Sequence, residues 1–235
     1  MTAENVLIPV DGGPPMPGYL ARPAGPDTAP AVIVAHELFG VTADIRGVVD
    51  ELARRGHTAI APAFYHRALP DAELSRDAAG RETGFALLRQ LTREQAIADV
   101  AATMRFLGNR PIAMVGFSFG GHIAYLAATR LDLVATVVLY GGWLTGTEIP
   151  LSQPDPTVRA TSHSTGRLLY LVGENDRLIT AEQRAELHTA LSAGGHEMVV
   201  YPGVEHAFFW PDTEAFDSAA REDAWKRIDQ FINSA

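Results

Sequence analysis

The pentapeptide 116–120, which reads Gly-Phe-Ser-Phe-Gly, is the segment of this chain best suited to chemistry. It follows the apolar run 112–115 and precedes the apolar segment 122–128, so a strand, a sharp turn and a helix are predicted in that order. Such a turn exposes the serine oxygen above the sheet edge and points the N-terminus of the helix at it. Glycine at both ends removes the Cβ atoms that would clash. Ser118 is therefore the candidate nucleophile.

A serine hydroxyl needs a base within hydrogen-bond reach, and the base needs a group that fixes its tautomer. The pentapeptide resembles the nucleophile elbow of α/β-hydrolases, in which an acid and then a histidine follow the serine along the chain. Asp176 follows the predicted strand 168–172, with Glu174 as the alternative acid. His206 comes after the last predicted strand. Because open α/β sheets form their sites at the carboxyl ends of strands, we expect these side chains to meet.

Two backbone N–H groups could hold the negative oxygen that forms when the serine attacks a carbonyl. One belongs to Phe119, the residue after the nucleophile, and the other is expected from the loop after an early strand. Leu38 lies in such a loop, directly after the predicted strand 31–35. Loss of one such donor costs about a hundred- to a thousandfold in rate.

Metal and cofactor sites are not predicted. His36 and Glu37 match the start of the zinc-protease pattern H-E-x-x-H, but Gly40 occupies the fifth position and the segment follows a strand. The histidines otherwise lack metal-ligand spacing, and no G-x-G-x-x-G opens a helix after the first strand. Of the remaining histidines, His122 lies closest to the elbow, and the others are expected to serve packing, capping or solvation.

Strands alternate with helices over most of the 235 residues. Strands are predicted at 5–10, 19–21, 31–35, 58–61, 112–115, 133–140, 168–172 and 198–201, and helices at 44–55, 82–90, 93–107, 122–128, 181–193 and 216–232. Residues 66–80 are expected to be irregular, and residues 141–166 to form a loop above the sheet. The alternation predicts a single α/β domain spanning 1–235, with a mostly parallel sheet of about seven to eight strands and helices on both faces.

Composition narrows the choice of partners. The net charge of −9 argues against nucleic acid or an anionic membrane as the main partner. The absence of cysteine excludes disulfides, thiolate metal sites and a cysteine nucleophile. Neither a signal peptide nor a membrane-spanning apolar run is visible, so a cytoplasmic location is expected. The expected partner is a small-molecule substrate, and the expected assembly is a monomer or a homodimer.

The chain resembles the dienelactone hydrolase family through four segments between residues 31 and 208. They are Ala-His-Glu-Leu-Phe-Gly-Val at 35–41, Gly-Phe-Ser-Phe-Gly-Gly at 116–121, Gly-Glu-Asn-Asp at 173–176 and His-Ala-Phe at 206–208. The resemblance implies a compact α/β-hydrolase fold without a large lid, and an activity on esters or lactones. It also implies Ser118, Asp176 and His206 as the triad, with Glu37 pointing into the site.

The nucleophile departs from the family pattern. The best-known members carry cysteine at this position, and their glutamate helps to generate the thiolate. A serine hydroxyl has a much higher pKa than a thiol, so the same role is not available here. We expect Glu37 instead to orient Ser118 or His206, or to contact the substrate.

The substrate-binding positions depart as well. Dienelactone-cleaving members hold a substrate carboxylate with two arginines, and Arg81 resembles one of them. The position of the other is occupied by Trp210, which offers an aromatic face in place of a bidentate cation. This change weakens the case for dienelactone itself and favours less polar esters. Phe208, Phe209 and Trp210 are expected either to line the substrate pocket or to pack in the core beneath the terminal helix.

Two functions follow from these residues. The first is a serine hydrolase that cleaves carboxylic esters or lactones through an acyl-enzyme. The second is a non-catalytic protein of the same fold that binds a small molecule or a partner. A complete serine, histidine and aspartate set favours the enzyme, because a binding protein does not need all three.

Overall fold

The computed structural model describes residues 1–27 and 29–234. Eight strands form one sheet: β1 Thr2–Ile8, β2 Met16–Arg22, β3 Ala31–Ala35, β4 Ala59–Pro62, β5 Ile112–Phe117, β6 Ala135–Leu139, β7 Arg167–Gly173 and β8 Glu197–Tyr201. Their order across the sheet is β1-β2-β4-β3-β5-β6-β7-β8. Neighbouring strands are parallel from β4 through β3, β5, β6 and β7 to β8. At the other edge, β1 pairs antiparallel with β2, and β2 pairs antiparallel with β4.

Six α-helices lie among the described residues: α1 Ala43–Arg54, α2 Ala78–Leu88, α3 Arg93–Leu107, α4 Phe119–Ala128, α5 Ala181–Ala193 and α6 Ser218–Asn233. Two 3-10 helices, Pro150–Ser152 and Thr157–His163, follow β6. Thr92 and Thr180 begin α3 and α5 with capping boxes that satisfy N–H groups of the first turn. Over the described ranges, no helix has the length and apolar character that a membrane crossing requires.

The central strands explain the continuous apolar runs in the sequence. Every residue of β3, β5 and β6 is buried. Because successive side chains of a strand point to opposite faces, burial of all of them means that both faces of the sheet are covered. The predicted fold class, a mostly parallel α/β sheet covered on both faces, is confirmed.

Some predicted boundaries were wrong. Helix α2 begins at Ala78 and not at residue 82, because the Asp77 carboxylate caps it by accepting a hydrogen bond from Gly80 N–H at 2.8 Å. Helix α4 begins at Phe119, directly after the turn, and not at residue 122. The predicted loop 141–166 contains the two 3-10 helices.

Strand register brings the candidate residues to one edge. Ala35 of β3 pairs with Gly116 of β5, and Gly173 of β7 pairs with Tyr201 of β8. Parallel strands that end level with one another release their loops on the same side of the sheet. The loops after β3, β5, β7 and β8 therefore emerge together, and they carry the residues discussed next.

Candidate active site

Ser118 occupies a strained turn between β5 and α4. Its φ of 51° lies in the left-handed region that non-glycine residues rarely adopt. A Cβ at Gly116 would overlap the Gly120 carbonyl, and a Cβ at Gly120 would overlap the Ala35 carbonyl oxygen. The turn therefore requires glycine at both positions. Its start is fixed by a 2.9 Å hydrogen bond from Ser118 N–H to the carbonyl oxygen of Leu139 in β6.

A chain of hydrogen bonds runs from the serine to an aspartate. Ser118 Oγ lies 3.0 Å from His206 Nε2, and His206 Nδ1 lies 2.7 Å from Asp176 Oδ2. Because a carboxylate only accepts, Nδ1 carries the proton and Nε2 is free to accept from the hydroxyl. The Asp176 side chain is fully buried, whereas His206 retains 18% exposure. The other carboxylate oxygen, Oδ1, accepts from Leu178 N–H at 2.9 Å.

The two candidate acids lie in different surroundings. Glu174 is exposed, and its Oε2 accepts from Gly203 N–H at 2.9 Å. It makes no hydrogen bond to His206 in the part of the chain that the structure describes. The hydrogen-bond geometry therefore joins Asp176, and not Glu174, to the imidazole.

The two predicted oxyanion donors come from adjacent strands. Leu38 and Phe119 follow the paired residues Ala35 and Gly116 at the same distance along the chain. Neither N–H has a hydrogen-bond acceptor within residues 1–27 and 29–234. Two unpaired N–H groups near a nucleophile are what a developing oxyanion requires.

Glu37 is buried and held by two side chains. Arg76 Nη2 donates to Oε1 at 2.7 Å, and Trp210 Nε1 donates to Oε2 at 2.9 Å. Burial raises the pKa of the Glu37 carboxyl above its usual value, against the opposing effects of the Arg76 charge and these hydrogen bonds. Among the described residues, Glu37 makes no hydrogen bond to Ser118 or His206. Its expected role in orienting either group is therefore not supported by a direct contact.

Trp210 and its neighbours belong to the core. Phe208, Phe209 and Trp210 are 0%, 1% and 2% exposed. The Trp210 ring packs against Phe117 of β5, with ring centroids 4.8 Å apart. Of the two interpretations offered for this cluster, packing beneath the terminal helix describes its position, and Trp210 contacts Glu37 instead of presenting an open aromatic face.

The arginine that reaches Glu37 is Arg76, which the sequence analysis missed. Arg81 is exposed in α2, where its guanidinium donates to the Arg76 carbonyl oxygen at 3.0 Å. Arg76 also pairs with Asp44 in the first turn of α1, at 2.6 Å. The signal that could have identified Arg76 is indirect: a buried glutamate needs a cation, and this arginine lies in the nearby segment 66–80.

His122 and Tyr140 are buried residues that contact the elements carrying the site. Nδ1 of His122 bonds to Gly142 O at 2.9 Å, and Nε2 bonds to the Thr157 hydroxyl at 2.8 Å. Burial lowers the pKa of His122 to about 3, so the ring is neutral and joins α4 to the segment after β6. Tyr140, which the sequence analysis also missed, packs edge-on against the His206 ring with centroids 5.0 Å apart.

Comparisons with known proteins show which family this chain resembles. The model of the dienelactone hydrolase family matches residues 16–235. A Synechocystis protein named "Putative carboxymethylenebutenolidase" is 32% identical over 92% of this chain and 91% of its own length. "Carboxymethylenebutenolidase 1" of Cupriavidus pinatubonensis is 27% identical over 94% of this chain and 92% of its own length.

Solved structures share the fold. The crystal structure titled "Putative Dienelactone Hydrolase" from Klebsiella pneumoniae superimposes with a TM-score of 0.89 at 30% identity, covering 100% of this chain and 99% of that one. A cold-adapted esterase from an Arctic intertidal metagenomic library has a TM-score of 0.68 at 21% identity over 98% and 93% of the two chains, which is a likeness of fold alone. The family match over most of the chain and the 32% identical relative lead to one conclusion: the chain is a hydrolase of the dienelactone hydrolase family.

Proposed function

We propose that this protein is a serine hydrolase that cleaves carboxylic esters or lactones through a covalent acyl-enzyme. The observation that carries the proposal is the hydrogen-bonded chain from Ser118 Oγ through His206 to Asp176, with distances of 3.0 and 2.7 Å. These are distances at which a base can take a proton and an acid can orient the base.

In the proposed mechanism, Ser118 Oγ attacks the carbonyl carbon while His206 Nε2 takes its proton. Asp176 holds the ring in the Nδ1–H tautomer and stabilises its positive charge. The N–H groups of Leu38 and Phe119 donate to the oxyanion. When the tetrahedral intermediate collapses, His206 returns the proton to the leaving alkoxide, and the ester or lactone bond breaks. Water then attacks the acyl-enzyme with His206 again acting as the base, the Ser118 Oγ–acyl bond breaks to release the acid, and His206 returns the proton to Ser118 Oγ.

The proposed substrates are esters of low polarity. Position 210 holds a buried tryptophan, and Arg76 is engaged by the carboxylates of Glu37 and Asp44. A substrate carboxylate would have to compete with both of these ion pairs for that cation. We therefore expect higher kcat/KM for neutral p-nitrophenyl esters and neutral lactones than for analogues with a carboxylate. A panel of increasing acyl length, run beside lactones of matched size, measures this preference.

A fluorophosphonate probe tests the nucleophile. We expect the wild-type protein to be labelled on Ser118, and Ser118→Ala to lose both labelling and ester hydrolysis while its melting temperature changes by only a few degrees. Ser152, which lies in the 3-10 helix after β6, provides a matched control because Ser152→Ala leaves the elbow intact. Labelling that persists in folded Ser118→Ala would assign the nucleophile to another residue.

The alternative is a binding protein of the same fold. It predicts a folded chain that takes up esters without cleaving them and does not react with the probe. Single-turnover mass spectrometry separates the two functions, because the enzyme gains the mass of one acyl group on the peptide that contains Ser118. A chain that shows neither acyl adduct nor turnover across the panel would favour the binding function.

A further inference from the structure

His36 is a fully buried histidine that the proposed mechanism does not use. Both of its ring nitrogens have partners. Nδ1 lies 2.7 Å from the carbonyl oxygen of Glu37, and Nε2 lies 3.2 Å from the backbone N of Phe64. A carbonyl can only accept and a backbone N–H can only donate, so Nδ1 carries the proton and Nε2 does not. The surroundings therefore select a single neutral tautomer.

The ring is held firmly in this orientation. It packs against the side chains of Phe64, Tyr65 and Phe119, with ring centroids 5.6, 5.0 and 6.2 Å away. Burial lowers the pKa of His36 to about 4, so the imidazole stays neutral at physiological pH. The direction of its Nδ1–H bond is consequently fixed.

That bond acts on one particular peptide unit. The Glu37 carbonyl and the Leu38 N–H belong to the same planar peptide group, and in a trans peptide they point in opposite directions. Two donors hold the carbonyl, His36 Nδ1–H at 2.7 Å and Gly40 N–H at 3.4 Å. Anchoring the carbonyl toward His36 directs the Leu38 N–H away from it. This N–H has no acceptor in residues 1–27 and 29–234.

The same loop lies against the elbow. Gly120 in the first turn of α4 packs so closely on the Ala35 and His36 carbonyl oxygens that a Cβ at residue 120 would overlap both. The imidazole also contacts the ring of Phe119, the residue that carries the other proposed oxyanion donor. His36 therefore contacts the peptide unit that contains one proposed donor and the side chain of the residue that carries the other.

We propose that His36 is a positioning residue for the oxyanion hole: its Nδ1–H bond to the Glu37 carbonyl aims the Leu38 N–H at the oxygen of the tetrahedral intermediate. The inference rests on the proposed function, since it presupposes a reaction that forms an oxyanion beside Ser118. His36 would act on the transition state through the Glu37–Leu38 peptide and would not touch the substrate.

Two amide substitutions distinguish the hydrogen bond at Nδ1 of His36 from the hydrogen bond at Nε2. An asparagine amide lies near the position of Nδ1 and can donate to the Glu37 carbonyl, whereas a glutamine amide reaches the position of Nε2. We expect His36→Gln and His36→Leu to lower kcat by about ten- to a hundredfold with KM within a few-fold of wild type, because one misdirected donor costs part of what its full loss costs. His36→Asn should restore most of kcat. Equal losses in all three variants would show that the ring merely fills space.

A matched inhibitor pair reports on the oxyanion itself. A trifluoromethyl ketone adds to a serine and forms an oxyanion, whereas the corresponding methyl ketone binds largely without adding. We expect His36→Gln to lower the affinity for the trifluoromethyl ketone by the same factor as it lowers kcat/KM. The affinity for the methyl ketone should not change. Tyr19→Phe is the control, because the Tyr19 hydroxyl donates to Asp50 Oδ1 at 3.0 Å, a bond that joins β2 to α1 and does not involve the loop after β3. Its kcat should change by less than a few-fold.

Two further results would overturn the inference. The first is a folded His36→Gln with wild-type kcat. The second needs no variant: nitrogen NMR of the wild-type ring should show the neutral Nδ1–H tautomer from pH 5 to 8, and an Nε2–H or doubly protonated ring would contradict the argument. Failure of the proposed function is recognised separately, because either the wild-type protein would then show no turnover or Ser118→Ala would retain it, whatever the His36 variants do.

Discussion

The indole N–H of Trp210 donates to Oε2 of Glu37 at 2.9 Å, so the aromatic side chain is bonded to the buried carboxylate beside the end of β3. Arg76 donates to the other oxygen of the same carboxylate at 2.7 Å. The carboxylate of Glu37 is thus satisfied by two side chains that lie far apart in the sequence. This arrangement connects the irregular segment before α2 with the segment after β8.

Replacing Trp210 by phenylalanine tests this connection. Trp210→Phe removes one donor from a buried carboxylate, and we expect the free energy of unfolding to fall by about 1–3 kcal/mol. Because the side chain is 2% exposed, selectivity between neutral and carboxylate-bearing esters should not change. Urea denaturation and paired kcat/KM measurements check both expectations. Trp225→Phe is the control, since the Trp225 indole N–H has no hydrogen-bond partner among the described residues; altered selectivity in Trp210→Phe would place residue 210 against the substrate.

Removing the cation that pairs with Glu37 should lower the free energy of unfolding more than Trp210→Phe does. Arg76→Gln leaves a buried carboxylate without its positive partner, and we expect a loss of about 2–4 kcal/mol, reduced from that of a fully buried pair because the Arg76 side chain is 27% exposed. The double variant Glu37→Gln/Arg76→Gln should recover part of this loss. Exposed Arg81, changed to glutamine, is the matched control and should be nearly neutral in stability.

The free energy of unfolding of Arg76→Gln should depend on pH differently from that of the wild-type protein. Burial already raises the pKa of Glu37, and loss of Arg76 removes the largest opposing influence. The native state of Arg76→Gln then binds more protons than the unfolded state, so its free energy of unfolding should fall as the pH rises above the ordinary carboxyl pKa of 4.5 toward the raised pKa of the folded state. The nearby charged or titratable groups are Asp44, Tyr65 and Tyr140, and Asp44 loses its ion pair with Arg76 in this variant. A stability curve parallel to that of wild type between pH 5 and 8 would argue against an uncompensated Glu37.

A glycine in α2 provides a steric test of the loop after β3. A Cβ at Gly84 would lie 2.7 Å from Leu38 Cγ and 2.8 Å from the Leu38 carbonyl oxygen. Alanine normally stabilises a helix interior by about 1 kcal/mol relative to glycine. We expect Gly84→Ala instead to lower the free energy of unfolding. It should also lower kcat, because Leu38 must move.

Gly47 in α1 is the control for that variant. A Cβ at Gly47 would meet no atom within 4 Å, so Gly47→Ala should raise the free energy of unfolding by about 0.5–1 kcal/mol and leave kcat unchanged. Thermal denaturation and ester turnover of the two variants provide the comparison. A stabilised, fully active Gly84→Ala would show that α2 does not press on Leu38.

Two buried neutral histidines should weaken the protein in mild acid. Burial lowers the pKa of His36 to about 4 and that of His122 to about 3, from an ordinary value of 6.5. Between about pH 4 and 6.5 the unfolded chain binds more protons at these sites than the native chain. Each histidine therefore makes the free energy of unfolding rise with pH by about 1.4 kcal/mol per pH unit in this window.

Denaturation curves at several pH values measure this slope. His122→Asn should reduce the slope of the free energy of unfolding against pH by the contribution of one histidine. His188→Gln should leave this slope unchanged, because His188 is exposed on α5. The expected contribution is fully present above about pH 6.5 and declines as the pH falls toward 4. An unchanged slope in His122→Asn would mean that this ring is protonated in the native state.

The fold was predictable because its elements are local and periodic. The strand Ala31–Ala35 and the helices Arg93–Leu107 and Ala181–Ala193 were predicted with the observed bounds. Errors arose where a boundary depends on one side chain, as at Asp77, whose cap starts α2 before the apolar pattern becomes visible. Gly80, close behind this cap, obscured the start because glycine is a poor helix former.

The sequence alone determined the order of strands and helices, the glycines that the elbow requires and the set of candidates Ser118, Asp176 and His206. It also indicated the loop that carries Leu38, because strand ends can be read from apolar runs. Tertiary structure decided which of two acids faces the imidazole, that Trp210 is buried and that Arg76 serves Glu37. These outcomes depend on the directions in which loop side chains leave the sheet. No periodic pattern encodes those directions, since they follow from packing between segments distant in the chain.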